Sequence, residues 1–333
     1  FCAQWYFFEI IKLRKAKIFL EVIFMKYKEW IELWYENYVQ PTSKTKTCIC
    51  YTSIMHRQII PKIGDYELDE ITPLILQKFV TALLTAGNSK TGRGLSSNTV
   101  NLIITIIQES LETAVSVGVL EMYIGDKIKR PKNKERKVES FSLKEQKLIE
   151  QGVLNHTKPR MIGVLLCLYT GLRIGELLAL EWKDIDFKKR ELSVNKSCTD
   201  YVSGEGKYIR VIESPKTETS IRTIPIPKQL VPILKELKTN NKSKYVVGDG
   251  NKTISIRSYQ RSFEALLRKL NISHKGFHAL RHTFATRALE SGMDVKTLSE
   301  ILGHKNPTVT LTRYAHAFLE HKRQMMDKLG NLL

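Results

Sequence analysis

The chain has 333 residues, a formal net charge of +19, 42% hydrophobic and 26% charged residues. This is ordinary globular composition at a length that suits about two domains. Its five cysteines are an odd number with no CxxC pair, which argues against a disulfide framework or a zinc site and for a reducing, cytoplasmic compartment.

An isoelectric point near 9.6 points to a polyanionic partner, most often nucleic acid. Counted along the chain, Lys26 to Glu139 carries about +3 and the stretch from Phe141 onward about +14. A field concentrated in one region suits a surface that tracks phosphates better than it suits general solubility.

Residues 1–24 ("FCAQWYFFEIIKLRKAKIFLEVIF") have a basic cluster in the middle and apolar runs too short to span a bilayer. They make a poor signal peptide. We read them as a segment upstream of a start at Met25, or as an amphipathic N-terminal helix. From Tyr27 to Val39 apolar residues fall at helical spacing. "QPTSKTKT" breaks the pattern, and a second helix runs to about Ile60. "IPKIGDYELDEITP" reads as a loop, and Thr72-Pro73 starts a third helix to about Leu84. After "TAGNSKTGRGLSS", Ser97 or Asn98 can cap a fourth helix from Thr99 to Val117. The region 25–130 is therefore expected to be an all-helical bundle. "KIKRPKNKERKVES" is charged and poor in apolar residues, so 131–140 reads as a linker.

The second region, 141–318, opens with a capping-box pattern, Ser142 with Glu145. "RMIGVLLCLYTG" is a buried helix ending at Gly171, with Cys167 in its core, and "RIGELLALEW" is the next helix. "ELSVNKS", "KYIRVIES" and "SIRTIPI" read as one small antiparallel sheet. Helices follow near 228–239, 257–270, 279–291 and 295–302, then one around Tyr314 and an amphipathic tail helix over 319–333. The expected class is mainly α with a small antiparallel β-sheet (α+β).

Several polar residues of this region stand in unusual places. Arg173 lies between two apolar helices, where a guanidinium is costly unless it meets an anion; an ion pair with Glu176, one turn on, is the structural alternative. Lys216 sits at a turn between strands, where a lysine is usually only solvated. His278 and Arg281 share one face of a helix start. His304 follows Gly303 at a helix end, where it could serve as a cap. Tyr314, in "LTRYAHA", would ordinarily be a packed aromatic. Taken together they suit phosphoryl transfer. Two arginines can clamp the nonbridging oxygens of a phosphodiester. Imidazoles and a lysine can move protons, and neighbouring cations favour a phenolate nucleophile. The sequence holds no acidic cluster for paired Mg²⁺ and no GxxxxGK[ST], so neither a metal nor a cofactor is expected.

"TGLRIGELLALEW", "SPKTETSIRTIPI", "HALRHTFATRALESG" and "LGHKNPTVTLTRYAHA", in this order, resemble the tyrosine recombinase (phage integrase) family. The likeness covers about Phe141 to Ala317. From Lys26 to about Lys129 the chain resembles, more weakly, the family's helical core-binding domain. The resemblance implies a site-specific recombinase of a mobile element that works through a 3′-phosphotyrosyl intermediate. It implies Arg173 and Arg281 as phosphate clamps and Lys216 as general acid. It implies His278 as acceptor of the tyrosine proton, His304 as a phosphate ligand, Tyr314 as nucleophile and Glu176 as the orienting carboxylate. His282 and His316 receive no role. The implied partners are double-stranded DNA with inverted-repeat core sites, a homotetramer in the synaptic complex, and an excisionase or DNA-bending accessory protein; no membrane is involved. The implied location is the bacterial cytoplasm, at the nucleoid when DNA is bound. DNA contacts are expected at Lys44, Lys46, Arg93 and Asn98 in the first region and at Arg257 and Arg261 in the second. A type IB topoisomerase-like enzyme and a non-catalytic DNA-binding protein remain as rival readings.

Overall fold

The structure is a computed structural model that describes residues 25–88, 91–133, 139–156, 158–202, 208–213, 221–250, 252–304, 306–314, 326–327 and 329–330, with the backbone alone at 202, 249, 309 and 312–314. The chain divides into two compact units, Phe1–Arg136 and Lys137–Leu333.

In the first unit α1 (Tyr27–Trp34) continues through a π-helical turn, Tyr35–Val39. Tyr27, Trp30, Ile31 and Trp34 form its buried stripe. They pack on α4 (Ser97–Ser116), where Trp30 Nε1 donates to the Ser110 carbonyl at 3.0 Å and Trp34 Nε1 to Thr113 Oγ1 at 3.1 Å. The indole polar atoms are thus satisfied while their rings fill the core. α2 (Thr45–Ile54) runs on through a π turn, Met55–Ile59, into a helical turn at Ile60–Ile63. The expected loop therefore begins later than the sequence suggested. Pro61 stands in the first turn of that last segment, directly after the π turn that interrupts the regular α-helical ladder. α3 (Pro73–Ala86) starts as expected, with Thr72 Oγ1 accepting from the Ile75 N–H. The cap of α4 is Ser96, not Ser97 or Asn98: its Oγ accepts from the Thr99 N–H at 3.2 Å. The core of the unit is Ile103, Ile104, Ile106, Ile107 and Leu111 of α4 against Leu76, Phe79, Val80 and Leu83 of α3 and the α1 aromatics.

The second unit opens with the expected capping box. The Glu145 N–H meets Ser142 Oγ, and the Ser142 N–H meets Glu145 Oε2, at the head of α5 (Leu143–Leu154). α6 (Ile162–Thr170) is buried on nearly every side and carries Cys167 in the core. α7 (Ile174–Ala179) follows after three residues.

The strands differ from the single sheet the sequence suggested. β1 (Ile185–Asp186), β2 (Glu191–Val194) and β5 (Arg222–Pro225) form an antiparallel sheet in the order β1-β2-β5, with Leu192 opposite Ile224. β3 (Ser197–Val202) and β4 (Tyr208–Glu213) form a separate hairpin. The division falls at Asn195–Lys196, where Lys196 Nζ is pinned by Asp184 at 3.1 Å and Glu181 at 3.3 Å and the chain leaves the first sheet. Gly175 lets α7 lie against β3, since a Cβ there would stand 2.6 Å from the Cys198 carbonyl oxygen.

α8 (Leu230–Asn240) leads to a minimal pair, β6 (Gly248–Asp249) and β7 (Lys252–Thr253). α9 (Ile256–Lys269) buries Tyr259, Phe263, Leu266 and Leu267. α10 (His278–Glu290), α11 (Val295–Leu302) and α12 (Pro307–Tyr314) complete the unit. Phe141, Tyr259, Phe263 and Phe277 pack edge to face, and α10 lies along α6. The expected tail helix falls largely outside the described residues.

Candidate active site

Two left-handed glycines shape the site. Gly171 (φ 66°) ends α6 and Gly303 (φ 63°) ends α11. Such a residue stops a helix and turns the chain at little steric cost. After Gly171 the chain extends through Arg173, the residue preceding α7, whose N–H donates to Glu176 Oε2 at 2.9 Å. After Gly303 it delivers His304.

The guanidinium of Arg173 donates through Nη1 to Glu176 Oε1 at 2.8 Å and through Nη2 to the Gly303 carbonyl at 3.3 Å. Its side chain remains 37% exposed. Arg281, on α10, is only 2% exposed. Its Nη1 donates to the Gly171 carbonyl at 2.8 Å, and its Nη2 donates to the Leu302 carbonyl at 2.7 Å and to His304 Nε2 at 2.9 Å. An arginine only donates, so His304 Nε2 accepts. The ring proton then sits on Nδ1, which donates to Thr310 Oγ1 at 2.8 Å, at the first turns of α12. Two guanidinia and one imidazole thus meet at the C-terminal turn of α11.

Glu176 is 5% exposed. Burial alone would push its carboxyl up. The hydrogen bonds and charge of Arg222, and then the charge of Arg173, overcome that and hold it at about 2. Arg222 makes a fork-to-fork pair with it, Nη2 to Oε2 at 2.9 Å and Nη1 to Oε1 at 3.1 Å. The sequence reading missed Arg222 and Thr310. Alternation along β5 puts Arg222 on the same face as the buried Ile224. A charge on an apolar strand face was the available signal. Nothing in the sequence singles out Thr310.

Arg173, Glu176, Arg281 and His304 are therefore brought together. His278 opens α10 one turn before Arg281; it is exposed, with its ring edge-on to His282 at 4.5 Å between centroids. The backbone of Tyr314 closes α12, which packs on α11; its side chain lies outside the described residues, as do Lys216, between β4 and β5, and His316. Lys44 and Lys46 are exposed at the head of α2, Arg93 is exposed in the loop before α4, and Asn98 is exposed in its first turn. Arg257 and Arg261 are exposed on α9, away from its buried stripe.

An α+β unit that gathers guanidinia, an imidazole and a carboxylate at one helix end has the donor set that an anionic tetrahedral group would need, as in phosphoryl transfer. Comparison with known proteins names the family. The phage integrase family matches residues 146–321, and the phage integrase N-terminal SAM-like domain matches residues 26–84. The chain belongs to the phage integrase family: it is a tyrosine recombinase, an enzyme of site-specific DNA cleavage and rejoining.

It is 33% identical over 267 residues to a XerC-like tyrosine recombinase of Caldanaerobacter subterraneus subsp. tengcongensis, covering 72% of this chain and 68% of that one. It is 30% identical over 256 residues to the ICEBs1 integrase of Bacillus subtilis, covering 72% and 67%. In fold it is similar to the Tn1549 transposon integrase solved in complex with transposon right end DNA, with a TM-score of 0.76, 22% identity and coverage of 92% and 100%. Among the described residues no helix is long and apolar enough to cross a membrane.

Proposed function

We propose that this recombinase integrates or excises a mobile element through a 3′-phosphotyrosyl intermediate formed on Tyr314. The observation that carries the reading is the convergence of Arg173 and Arg281, with His304 between α11 and Arg281, on one helix end. In this reading a scissile phosphate displaces the intramolecular contacts and takes donors from both guanidinia and from His304 once Nε2 is protonated. Tyr314 Oη bonds to phosphorus and gives its proton to His278. The bond from phosphorus to the 5′-oxygen breaks, and Lys216 protonates that oxygen. The phosphotyrosyl diester keeps the energy of the cut bond, so a 5′-hydroxyl from another strand reverses the steps and rejoins DNA without fuel.

The first unit, by its likeness to the SAM-like domain, would bind the core DNA through Lys44, Lys46, Arg93 and Asn98, with Arg257 and Arg261 contributing from the second. Inverted-repeat core sites, a homotetramer at synapsis, a DNA-bending or excisionase partner, and the bacterial cytoplasm complete the proposal. Two matches favour a mobile element: the ICEBs1 integrase and, at 32% identity over 184 residues, the transposase of Tn916 from Enterococcus faecalis.

Incubating the full chain with a library of nicked suicide duplexes, and recovering DNA through SDS-stable attachment to protein, tests the reading. Capture of duplexes sharing one inverted repeat is expected. Relaxation of any supercoiled plasmid without site preference would favour the topoisomerase-like alternative, and no adduct at all would favour the non-catalytic one.

A further inference from the structure

Three successive carbonyls at the end of α11 each take a different arginine. Ile301 accepts from Arg222 Nε at 2.5 Å, Leu302 from Arg281 Nη2 at 2.7 Å, and Gly303 from Arg173 Nη2 at 3.3 Å. The last carbonyls of a helix lack partners within it and carry the negative end of its dipole, so cations belong there. Two of the three arginines are the ones proposed to clamp the phosphate. The third is not used by that chemistry, yet its side chain is only 6% exposed and it spends its guanidinium on Glu176 and the helix end.

We propose that Arg222 is a positioning residue for strand cleavage: by holding Glu176 and the last turn of α11 together, it sets the direction of Arg173 and the place of His304. The inference rests on the strand-transfer reading of the site. Two physical effects support it.

The first is charge. Glu176 Oε1 receives Nη1 of both Arg173 and Arg222, at 2.8 and 3.1 Å. Two guanidinia against one buried carboxylate leave one net positive charge to offer a phosphate. Without Arg222 the carboxylate would be matched against Arg173 alone, which would be drawn into the pair and offer the phosphate little net charge.

The second is mechanical. A Cβ placed on Gly303 would lie 3.1 Å from Cδ and Nη1 of Arg222. The Arg222 side chain is therefore packed directly against the turn that delivers His304. A shift of that turn also moves the carbonyl that receives Arg173, and an ångström of misplacement can cost about 10²-fold in rate.

The test is single-turnover formation of the covalent adduct by the full chain, on a suicide duplex chosen by covalent capture with the wild-type protein. Arg222→Gln removes the charge; Arg222→Lys keeps it without the fork. Each is measured alone and together with Glu176→Gln, beside duplex affinity. Arg222→Gln should slow the adduct about 10²-fold with affinity within about threefold, and Arg222→Lys should lose only about tenfold. When Glu176 is already Gln, adding Arg222→Gln should cost no more than about tenfold, because the charge effect through the carboxylate is gone and only the contact with the α11 turn is left to lose.

A wild-type rate for Arg222→Gln overturns the proposal. So do equal losses for Lys and Gln that persist when Glu176 is replaced, since they describe a residue that only holds the fold. Should Arg222→Gln fail to fold, the same cycle is read with Arg222→Lys, whose loss must shrink when Glu176 is replaced. A wild-type protein that captures no duplex sinks the strand-transfer reading as well; an active wild type beside a fast Arg222→Gln sinks the proposal alone.

Discussion

Glu176→Gln isolates the charge that the two arginines share. In the folded chain burial raises the carboxyl, but Arg222 and then Arg173 hold it at about 2, against an ordinary 4.5. The folded-state value is depressed, so the stabilisation is fully present above about pH 4.5 and is lost as pH falls from there through about 2. The difference corresponds to about 3 kcal/mol at pH 7, the scale of removing one partner from a buried ion pair. By the same linkage about 2 kcal/mol remains at pH 3.5. For a unit of this size the loss lowers Tm by about 6–12 °C. Urea unfolding of wild type and variant at pH 7, 4.5 and 3.5 measures it: the gap should be widest at pH 7 and narrow at the lowest pH. A variant that unfolds with the wild type at pH 7, or a gap that does not change with pH, would refute the assignment of Glu176 as the ionised hub of the site.

Three further substitutions test the proposed roles. Arg173→Lys keeps the charge but cannot bond Glu176 and a phosphate together, so single-turnover cleavage should fall by about 10²–10³; an unchanged rate would reduce Arg173 to a structural ion pair. Thr310→Val conserves volume but removes the acceptor of His304 Nδ1, and cleavage should slow about tenfold through loss of one orienting hydrogen bond, with duplex affinity retained as measured by anisotropy. Lys216→Ala should be about 10²–10⁴ slower on ordinary DNA and close to wild type on a strand with sulfur at the 5′-bridging position, because a thiolate leaves without a proton. Equal impairment on both strands would move the general acid elsewhere.

Much of the fold was legible because local signals agree with each other. Thr72-Pro73, Ser142 with Glu145, and the glycines at 171 and 303 mark helix ends by backbone chemistry that tertiary structure left in place. The strands were less legible. "ELSVNKS" reads as one β run, and its break depends on Lys196 reaching Glu181 and Asp184 ten or more residues away in sequence. The helical turn at Ile60–Ile63 is hidden by Pro61, which signals a break in a regular α-helix but here follows directly on a π turn. In the site, Arg173 stands out because a guanidinium is costly between two apolar helices, whereas Arg281 and His304 stand out only through the set they complete and the family motifs they sit in. Arg222 is harder to see: "SIRTIPI" signals a strand, and only the face shared with Ile224 marks its charge as buried. Thr310 became visible only when Gly303 had turned the chain and set His304 Nδ1 against it.

Everything proposed for the site turns on Tyr314 attacking the scissile phosphate. Trapping the protein on a suicide duplex, digesting with trypsin and nuclease, and sequencing the nucleotide-bearing peptide by mass spectrometry locates the attachment directly. A nucleotide joined through its 3′-phosphate to Tyr314 Oη is expected, and a Tyr314→Phe variant should bind the same duplex with near wild-type affinity and form no adduct. A nucleotide on any other residue, or an adduct that survives Tyr314→Phe, would contradict it.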